Sequence, residues 1–275
     1  MVTISHLTDA DIAYVCALAE EAGTLAVRMR EGVEIREKTG PQDLVTAADC
    51  ALSHLITTGL KNRFADDLVI SEEDTHHTPH QPQERIWLVD PIDGTDNYVR
   101  NDGQYSVMIG LLVEMVPVFG WVYAPHHETL YFGGPEFGTF IRRGPGQPVR
   151  HTPTPDLDTS GTKRLMMGFR DRKSHPWVMD LADVQLIKSG SIGLKVAKVL
   201  DDEADLFVHL SGKLKVWDTA GPVAIAIGAG LEVGQLEADG LTFRLPQLQQ
   251  ECTVIIGRRG ALLWSRANLI PDANT

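Results

Sequence analysis

The sequence predicts a mixed fold in which an α+β half is followed by an α/β half, and three observations carry this prediction. In the first half, helical segments precede four extended runs, "YSVMIGLLV", "PVFGWVYAP", "ETLYFGG" and "GTFIRR", which turn residues separate as in an antiparallel meander. In the second half, β-type runs such as "ADLFVHL" alternate with helical runs, which favours a sheet covered by helices. The Pro-, Gly- and Thr-rich stretch "RRGPGQPVRHTPTP" predicts a boundary between residues 1–145 and 146–275, as two halves of one compact unit.

Two helices are predicted in the first half from apolar spacing and capping residues. From about Thr8 to Glu31, apolar side chains recur near helical spacing, and Asp11 follows the candidate N-cap Thr8 by three residues. The segment "LVTAADCALSHLITTGLKNRF" predicts a short extended start and then a second helix. Near the end of the chain, "IGRRGALLW" predicts a strand and a turn with a surface basic pair.

The composition limits the classes of partner. The 275 residues include 25 Lys and Arg against 37 Asp and Glu, which gives a formal net charge of −12 and argues against binding to a nucleic-acid polymer. The three cysteines lack metal-type spacing and the N-terminus lacks a secretory pattern, so we expect free thiols in a cytoplasmic protein. No apolar run approaches the roughly 20 residues of a membrane span, so no membrane partner is expected.

Carboxylates stand at the ends of three predicted elements. The strand in "DLVISEEDT" delivers Glu72 and Glu73, and the strand in "RIWLVD" delivers Asp90. In "KVWDTAGPVAIAIGAG", Asp218 stands at the start of a helix that we expect to run to about Ala229. Each residue alone reads as an ordinary turn or cap residue. The three elements together indicate one shared site.

The loop in "WLVDPIDGTDNYV" is the most informative of the three. Hard divalent cations such as Mg²⁺ take oxygen ligands, and Asp90, Asp93 and the Ile92 carbonyl could serve one or two such ions. Two ions about 4 Å apart can activate a water and hold a phosphate. Gly94 lets the backbone come close to a ligand, and Thr95 adds a hydroxyl that could hold the attacking water.

Two other interpretations of this loop fit less well. An EF-hand loop that begins at Asp90 needs Gly at its sixth position and Glu at its twelfth, where this chain has Thr95 and Asn101. A phosphatase that forms an aspartyl-phosphate has one residue between its two aspartates, whereas two residues separate Asp90 from Asp93. We therefore rank the metal site first.

As a set, "VISEED", "WLVDPIDGTDNY" and "VWDTAGPVAIAIGAG" resemble the inositol monophosphatase-like superfamily of Mg²⁺-dependent, often lithium-inhibited phosphatases. The motifs follow the order and approximate spacing of that family, from about residue 40 to about residue 235. The resemblance implies a layered αβαβα sandwich of the inositol monophosphatase and fructose-1,6-bisphosphatase type. It also implies two to three Mg²⁺ ions, with Mn²⁺ fitting the same oxygens, and direct attack of water on a phosphate monoester.

The resemblance also implies roles for individual residues. The metal ligands would be Glu72, Asp90, Ile92 through its carbonyl, Asp93 and Asp218. Asp90 would bridge two ions. Asp49, in "DLVTAAD", would work with Thr95 to orient and deprotonate the nucleophilic water, and Gly94 and Thr95 would line the phosphate.

The segment "IKSGSIGLKVAKVL" bears on the substrate. Gly190, Ser191 and Lys195 resemble the G-S-x-x-x-K pattern of the branch that removes the 3′-phosphate from adenosine 3′,5′-bisphosphate, the by-product of sulfate assimilation. We expect these three residues to bind substrate. A second phosphate needs a second cation, which Lys188, Lys195 or Lys213 could supply.

Two further positions point in opposite directions. Inositol phosphatases usually carry an acidic residue seven positions before the last metal aspartate, where this chain has Ser211, and this difference favours a more anionic substrate. Asp96, Asn97 and Tyr98 after D-G-T are closer to inositol and sugar phosphatases. We predict the bisphosphate nucleotide as substrate, with inositol monophosphate or a sugar bisphosphate such as fructose 1,6-bisphosphate as the alternative.

A catalytically silent relative that only binds a phosphorylated metabolite is the alternative from another class of protein. The joint presence of Glu72, Asp49 and Thr95 argues against it. We expect a small phosphorylated metabolite as partner, and a monomer or a homodimer. The "HHTPH" run at residues 76–80 lacks the frame of a zinc site and is predicted to be a solvent loop.

Overall fold

The structure, a computed structural model, describes residues 6–30, 35–37, 44–74 and 83–269, so the "HHTPH" run lies outside the described residues. The described α-helices are α1 Asp9–Met29, α2 Ala47–Arg63, α3 Thr95–Arg100, α4 Phe169–Ser174, α5 Ile192–Leu200, α6 Val216–Gly228 and α7 Ala261–Asn268. The described strands are β1 Ile35–Glu37, β2 Leu44–Thr46, β3 Leu68–Ser71, β4 Arg85–Asp93, β5 Ser106–Val113, β6 Val116–Ala124, β7 Thr129–Gly134, β8 Gly138–Arg143, β9 Val149–Arg150, β10 Lys163–Met167, β11 Val184–Ile187, β12 Leu206–His209, β13 Leu214–Lys215, β14 Glu232–Gly234, β15 Gln249–Gln250 and β16 Val254–Gly257. Short 3-10 helices lie at Pro125–His127 and Pro176–Asp180.

The larger sheet has the strand order β3-β4-β5-β6-β7-β8-β9. Strands β3 and β4 are parallel, and every later pair of neighbours is antiparallel, which confirms the predicted meander from β5 to β8. Almost every side chain of β4 and β5 is buried. Strands buried on both faces carry near-continuous apolar runs, and "YSVMIGLLV" is such a run.

The smaller sheet has the order β11-β10-β12-β16-β14, in which β11, β10 and β12 are parallel and β16 is antiparallel to both of its neighbours. Helices α1 and α2 cover the outer face of the larger sheet. Helices α5 and α6 lie between the two sheets, and α7 packs on β14 and β16 from outside. The layers therefore alternate as αβαβα, and the predicted fold class is confirmed. The division at residues 145 and 146 stays a prediction.

The first two helices begin with the same arrangement of threonine and aspartate. At α1, the Thr8 N–H donates to Asp11 Oδ2 over 2.9 Å and the Asp11 N–H donates to Thr8 Oγ1 over 3.2 Å. At α2, Thr46 and Asp49 repeat this reciprocal pair, with distances of 2.8 and 3.3 Å. Each pair satisfies backbone donors that a helix start leaves free, so both predicted helix starts are confirmed. Of the helices in the described ranges, none combines the length and the apolar character that crossing a lipid bilayer requires.

Helix α6 lies so close to the larger sheet that side chains are excluded from the contact. A Cβ on Gly110 of β5 would lie 2.6 Å from the Gly221 nitrogen, and a Cβ on Gly120 of β6 would overlap the Gly221 carbonyl. The helix backbone therefore rests directly on the backbone of two strands. This approach also brings Asp218, three residues before Gly221 on α6, to the layer that carries the end of β4.

The end of the chain differs from its prediction. The strand in "IGRRGALLW" is present as β16, but the residues after it form helix α7 rather than a turn alone. The predicted surface basic pair is wrong for Arg258, which is 5% exposed and holds its Nε 3.0 Å from Asp205 Oδ1. Its Nη2 also pairs with Asp202. Sequence spacing does not reveal such carboxylates, because they belong to the turn before β12.

Replacing Gly120 with alanine is expected to lower the free energy of unfolding by about 1–3 kcal/mol. The new Cβ would overlap the backbone carbonyl of Gly221, which cannot move aside as a flexible side chain can. Urea denaturation measures this loss. Gly168→Ala is the control for packing, since its Cβ would have its nearest neighbour 4.0 Å away. Gly168 is also the N-cap of α4, where alanine is less favourable, so its effect should stay below about 1 kcal/mol. Equal stability of the Gly120→Ala protein and the wild type would contradict the backbone contact.

Candidate active site

The acidic loop forms where β4 leaves the larger sheet. Strand β4 pairs with β5 up to Asp90, opposite Met108, and again at Asp93, opposite Ser106, with a shift of register between the two. Gly94 then adopts a φ of +93°, and a Cβ there would lie 2.9 Å from the Gln104 carbonyl oxygen. Both facts require glycine at this turn, because other residues disfavour positive φ. Helix α3 begins directly after it, at Thr95.

Asp90 is the centre of the carboxylate cluster. Its side chain is 2% exposed, and among the described residues its Oδ1 has no hydrogen-bond partner. Burial raises the pKa of Asp90 well above its ordinary value, and the charges of four neighbouring carboxylates raise it further. In order of effect, these neighbours are Glu72, Asp93, Asp218 and Asp49. The structure therefore brings together acidic residues that the sequence predicted from four separate elements.

Glu72 and Asp218 reach the cluster from opposite halves of the chain. The Glu72 backbone N–H donates to the Val89 carbonyl over 3.0 Å, which holds the end of β3 beside β4. Asp218 lies in the first turn of α6, where its Oδ2 accepts the Lys215 backbone N–H over 2.7 Å. Burial raises the pKa of Asp218 well above its ordinary value, and the charges of Glu72 and Asp93 add to that shift.

The N-terminus of α5 holds one oxygen of Asp93. Asp93 Oδ2 accepts the Ser191 hydroxyl over 2.5 Å and the Gly193 backbone N–H over 3.0 Å. Burial raises the pKa of Asp93, while Lys195 and these hydrogen bonds oppose the shift. Ser191, a predicted substrate residue, therefore fixes the orientation of a predicted metal ligand. Its Oγ also lies 2.7 Å from Ser106 Oγ, so β5 supports the same contact.

Asp49 and Thr95 meet at the edge of the cluster, as predicted. Thr95 Oγ1 lies 3.4 Å from Asp49 Oδ1 and 3.2 Å from the Ile92 carbonyl oxygen. The other oxygen of Asp49, Oδ2, accepts both the backbone N–H and the hydroxyl of Thr46. One oxygen of Asp49 thus caps α2, while the second faces the Thr95 hydroxyl.

Lys195 is buried rather than solvated. It is 2% exposed, and its Nζ donates to the carbonyls of Gly190 and Ser191 over 2.7 and 3.1 Å. The Nζ also lies 5.5 Å from the centre of the Phe207 ring. Burial lowers the pKa of Lys195 to about 8, although the charges of Asp93 and Asp218 favour its protonated form. The predicted contact of Gly190, Ser191 and Lys195 with substrate stays a prediction, and the structure adds a role in fixing the turn before α5.

Asp171 is a third buried carboxylate near Lys195 and was not predicted from the sequence. Asp171 of α4 is buried, and its Oδ2 accepts the Leu210 backbone N–H over 2.8 Å, while its Oδ1 accepts the Ser211 hydroxyl. Ser211 was predicted to favour an anionic substrate because it is not acidic, yet a carboxylate from another element contacts it. The only sequence signal is "FRDRK", a basic run around one aspartate after a strand.

The donors around Asp90 suit a hard divalent cation. They are carboxylate oxygens and the Ile92 carbonyl, and a buried carboxylate oxygen without a hydrogen-bond partner is costly unless a cation satisfies it. Within the described ranges, no three His, Cys, Asp or Glu side chains converge into a ready-made cage. Mg²⁺ usually keeps waters and substrate oxygens among its ligands, so an open set of carboxylates fits it.

In the presence of a chelator, we expect the stability of the protein to fall as the pH rises. Asp90 and Asp218 have raised pKa values when folded, so above the unfolded carboxyl value of about 3.9 the folded state binds more protons than the unfolded state. The free energy of unfolding then decreases with pH until both groups are ionised. Thermal melts between about pH 5 and pH 8 measure this slope.

Asp90→Asn should flatten that slope and raise the melting temperature of the chelated protein at the upper end of the range, because it removes one buried charge. Asp96→Asn, in the same loop, is the control and should keep the wild-type slope. A wild-type profile in the Asp90→Asn protein would show that the carboxylates do not repel one another as described.

Comparison with known proteins identifies the family of this chain. The model described as Inositol monophosphatase family matches residues 7–262. The 3′(2′),5′-bisphosphate nucleotidase CysQ of Salmonella typhimurium is 31% identical over 233 residues, which cover 83% of this chain and 92% of that protein. Inositol monophosphatase 3 of Solanum lycopersicum is 31% identical over 225 residues, which cover 77% and 81%.

A solved structure shows the same fold. An IMPase/NADP phosphatase complexed with Mg²⁺ and phosphate superimposes with a TM-score of 0.79 at 19% identity, over 94% of each chain. The family match covers nearly the whole described chain and includes each element that carries a carboxylate of the cluster. The chain is therefore a phosphatase that belongs to the inositol monophosphatase family.

Proposed function

We propose that the chain is a Mg²⁺-dependent phosphomonoesterase that removes the 3′-phosphate from adenosine 3′,5′-bisphosphate. The observation that carries the chemistry is the buried cluster around Asp90, with the Asp49–Thr95 pair at its edge. The similarity to the Salmonella nucleotidase supports the substrate. The structure that contains Mg²⁺ and phosphate on the same fold supports the choice of metal.

The chain has a defined set of residues for the metal. Glu72, Asp90, the Ile92 carbonyl, Asp93 and Asp218 would hold two to three Mg²⁺ ions, or Mn²⁺ in their place. When bound, such ions supply positive charge that lowers the pKa of a water and offsets the charge of the phosphate. The hydrogen bonds of α5 to Asp93 Oδ2 and of Lys215 to Asp218 Oδ2 keep these two carboxylates oriented.

The Asp49–Thr95 pair would handle the proton of the attacking water. The Thr95 hydroxyl donates toward Asp49 Oδ1, so its lone pairs can accept a hydrogen bond from the water. As the water oxygen bonds to phosphorus, the water proton passes through Thr95 to Asp49. The bond from phosphorus to the ester oxygen breaks, and the leaving oxygen takes a proton from solvent water to become the product hydroxyl, while Asp49 later returns its proton to solvent. Thr46 holds Asp49 Oδ2, so the carboxylate cannot turn away from Thr95. Gly94 and Thr95 would line the phosphate, and no covalent intermediate forms.

A second candidate substrate rests on the loop after Gly94. Asp96 places a negative charge in the first turn of α3, which is unfavourable close to a second phosphate. The tomato relative, named an inositol monophosphatase, is as similar in identity as the Salmonella nucleotidase. Inositol monophosphate, or a sugar bisphosphate such as fructose 1,6-bisphosphate, is therefore the alternative.

Phosphate release with Mg²⁺ from adenosine 3′,5′-bisphosphate, inositol 1-phosphate and fructose 1,6-bisphosphate tests the proposal. We expect the highest kcat/KM for the nucleotide and no release by Asp90→Asn. A preference for inositol 1-phosphate or the sugar would replace the substrate. Binding of all three without release from any would support the catalytically silent relative and overturn the enzyme.

Thr95→Val is expected to lower kcat about 10²–10³-fold with little change in KM, because it removes the hydroxyl that would relay the water proton. Thr95→Ser keeps a hydroxyl at this position and is the matched control, with most of the activity retained. Steady-state kinetics on the preferred substrate measure both variants. Equal activity of Thr95→Val and Thr95→Ser would remove Thr95 from the proposed relay.

A further inference from the structure

Helix α4 brings a cation to the proposed site that none of the motifs contains. The charge of Arg172 helps to lower the pKa of Lys195, after the larger effect of burial, so the two side chains are close. Lys195 in turn interacts with Asp93 and Asp218 of the carboxylate cluster. Distances support this closeness: Asp171, the neighbour of Arg172, lies 3.7 Å from His209 of β12, and Lys195 Nζ lies 5.5 Å from the ring of Phe207 on the same strand. Residues two apart on a strand share one face, so α4 and Lys195 meet beside the same face of β12.

Arg172 is available to a ligand. Its side chain is partly exposed, and no residue in the described ranges gives its guanidinium a hydrogen bond or an ion pair. Its neighbour Asp171 is turned inward, where it accepts from Leu210 and Ser211. In a chain with a net charge of −12, an arginine near a catalytic cluster that remains unpaired is suited to an anion, and its fork of donors matches phosphate oxygens.

Lys195 is less suited to the same task. It is buried, and two of its three N–H donors are used by the carbonyls of Gly190 and Ser191. A phosphate that bound it would have to enter space that protein atoms fill. Of these two cations, Arg172 is the one that a second phosphate can reach from solvent, while the buried Lys195 contributes charge without direct contact.

The same helix exposes an aromatic ring. Phe169 begins α4, precedes Arg172 by three residues and is 73% exposed. Residues at this spacing share one face of a helix. The rest of α4 is held in place, because Asp171 binds the turn before β13. An exposed ring on the same face as an unpaired guanidinium suits a ligand that carries both a flat base and a phosphate, since bases stack on aromatic side chains.

We propose that Arg172 binds the phosphate of the nucleotide that is not hydrolysed, and that Phe169 stacks on its base. This inference rests on the proposed function, because it names residues that select a bisphosphate nucleotide at the same site. Phe169 and Arg172 would therefore set specificity, whereas the carboxylate cluster performs the chemistry. The two residues would act on different parts of the substrate, so their effects can be separated.

The test compares kcat/KM for adenosine 3′,5′-bisphosphate and adenosine 3′-monophosphate, which differ only in the second phosphate. The wild type should prefer the bisphosphate. Arg172→Gln should lower kcat/KM for the bisphosphate about 10–100-fold, mainly through KM. The ratio of kcat/KM for the bisphosphate to kcat/KM for the monophosphate should then approach one. Phe169→Leu should lower kcat/KM for both substrates about 5–20-fold and keep their ratio, because both carry the base.

Two further variants control for charge and folding. Lys173→Gln removes a positive charge from the exposed neighbour of Arg172 and should keep the wild-type ratio. Arg172→Lys should restore part of the preference, since it returns the charge without the fork of donors. All variants should melt within a few degrees of the wild type.

The outcomes distinguish this inference from the proposed function. If the wild type releases phosphate from neither nucleotide, the proposed function fails and the inference fails with it. If the wild type hydrolyses the bisphosphate but Arg172→Gln keeps the wild-type ratio, the function stands and the role of Arg172 is overturned. If Phe169→Leu matches the wild type on both substrates, the stacking role of Phe169 is overturned.

Discussion

The burial of Asp90 among four other carboxylates is the constraint on which the rest of the site depends. Such a group of like charges is unfavourable in a low-dielectric interior, as the raised pKa values of Asp90 and Asp218 show. Hydrogen bonds from the surrounding elements stabilise three of these carboxylates. Helix α5 binds Asp93, the Lys215 backbone binds Asp218 and Thr46 binds Asp49. Asp90 Oδ1 has no hydrogen-bond partner among the described residues, and a bound cation would satisfy it.

The second requirement is that residues far apart in the chain meet at one point. Glu72, Asp90 and Asp93 come from the larger sheet, whereas Asp218 comes from a helix that follows most of the smaller sheet. The contact of Gly110 and Gly120 with Gly221 allows α6 to lie directly on the larger sheet. A helix held off by side chains would carry Asp218 away from Asp90 by the width of those side chains. Packing between the layers thus sets the dimensions of the site.

The sequence predicted the carboxylate cluster because each of its members stands at the end of a strongly patterned strand or at the start of a patterned helix. The reach of Thr95 to Asp49 followed from the family resemblance, and the distance of 3.4 Å agrees with it. Helix α4 was not predicted, because six residues span less than two turns and carry no readable period. The burial of Lys195 could not be predicted from the sequence either. Helical spacing gives the face on which a residue lies, but Phe207, which covers Lys195, comes from a different layer.

Two helices of this protein begin with the same threonine and aspartate, and the two aspartates differ in their second contact. Asp11 Oδ1 pairs with Arg63 of α2, whereas Asp49 Oδ1 faces a hydroxyl of the candidate site. Thr8 and Asp11 close the start of α1 with the geometry that Thr46 and Asp49 show at α2. What distinguishes Asp49 is the Thr95 hydroxyl 3.4 Å from its outer oxygen. Under the proposed mechanism, this one contact adds a proton-accepting role to an aspartate that already stabilises a helix start. A substitution at Asp49 would then weaken the start of α2 and slow turnover together, so its effect on folding and its effect on catalysis are coupled in one residue.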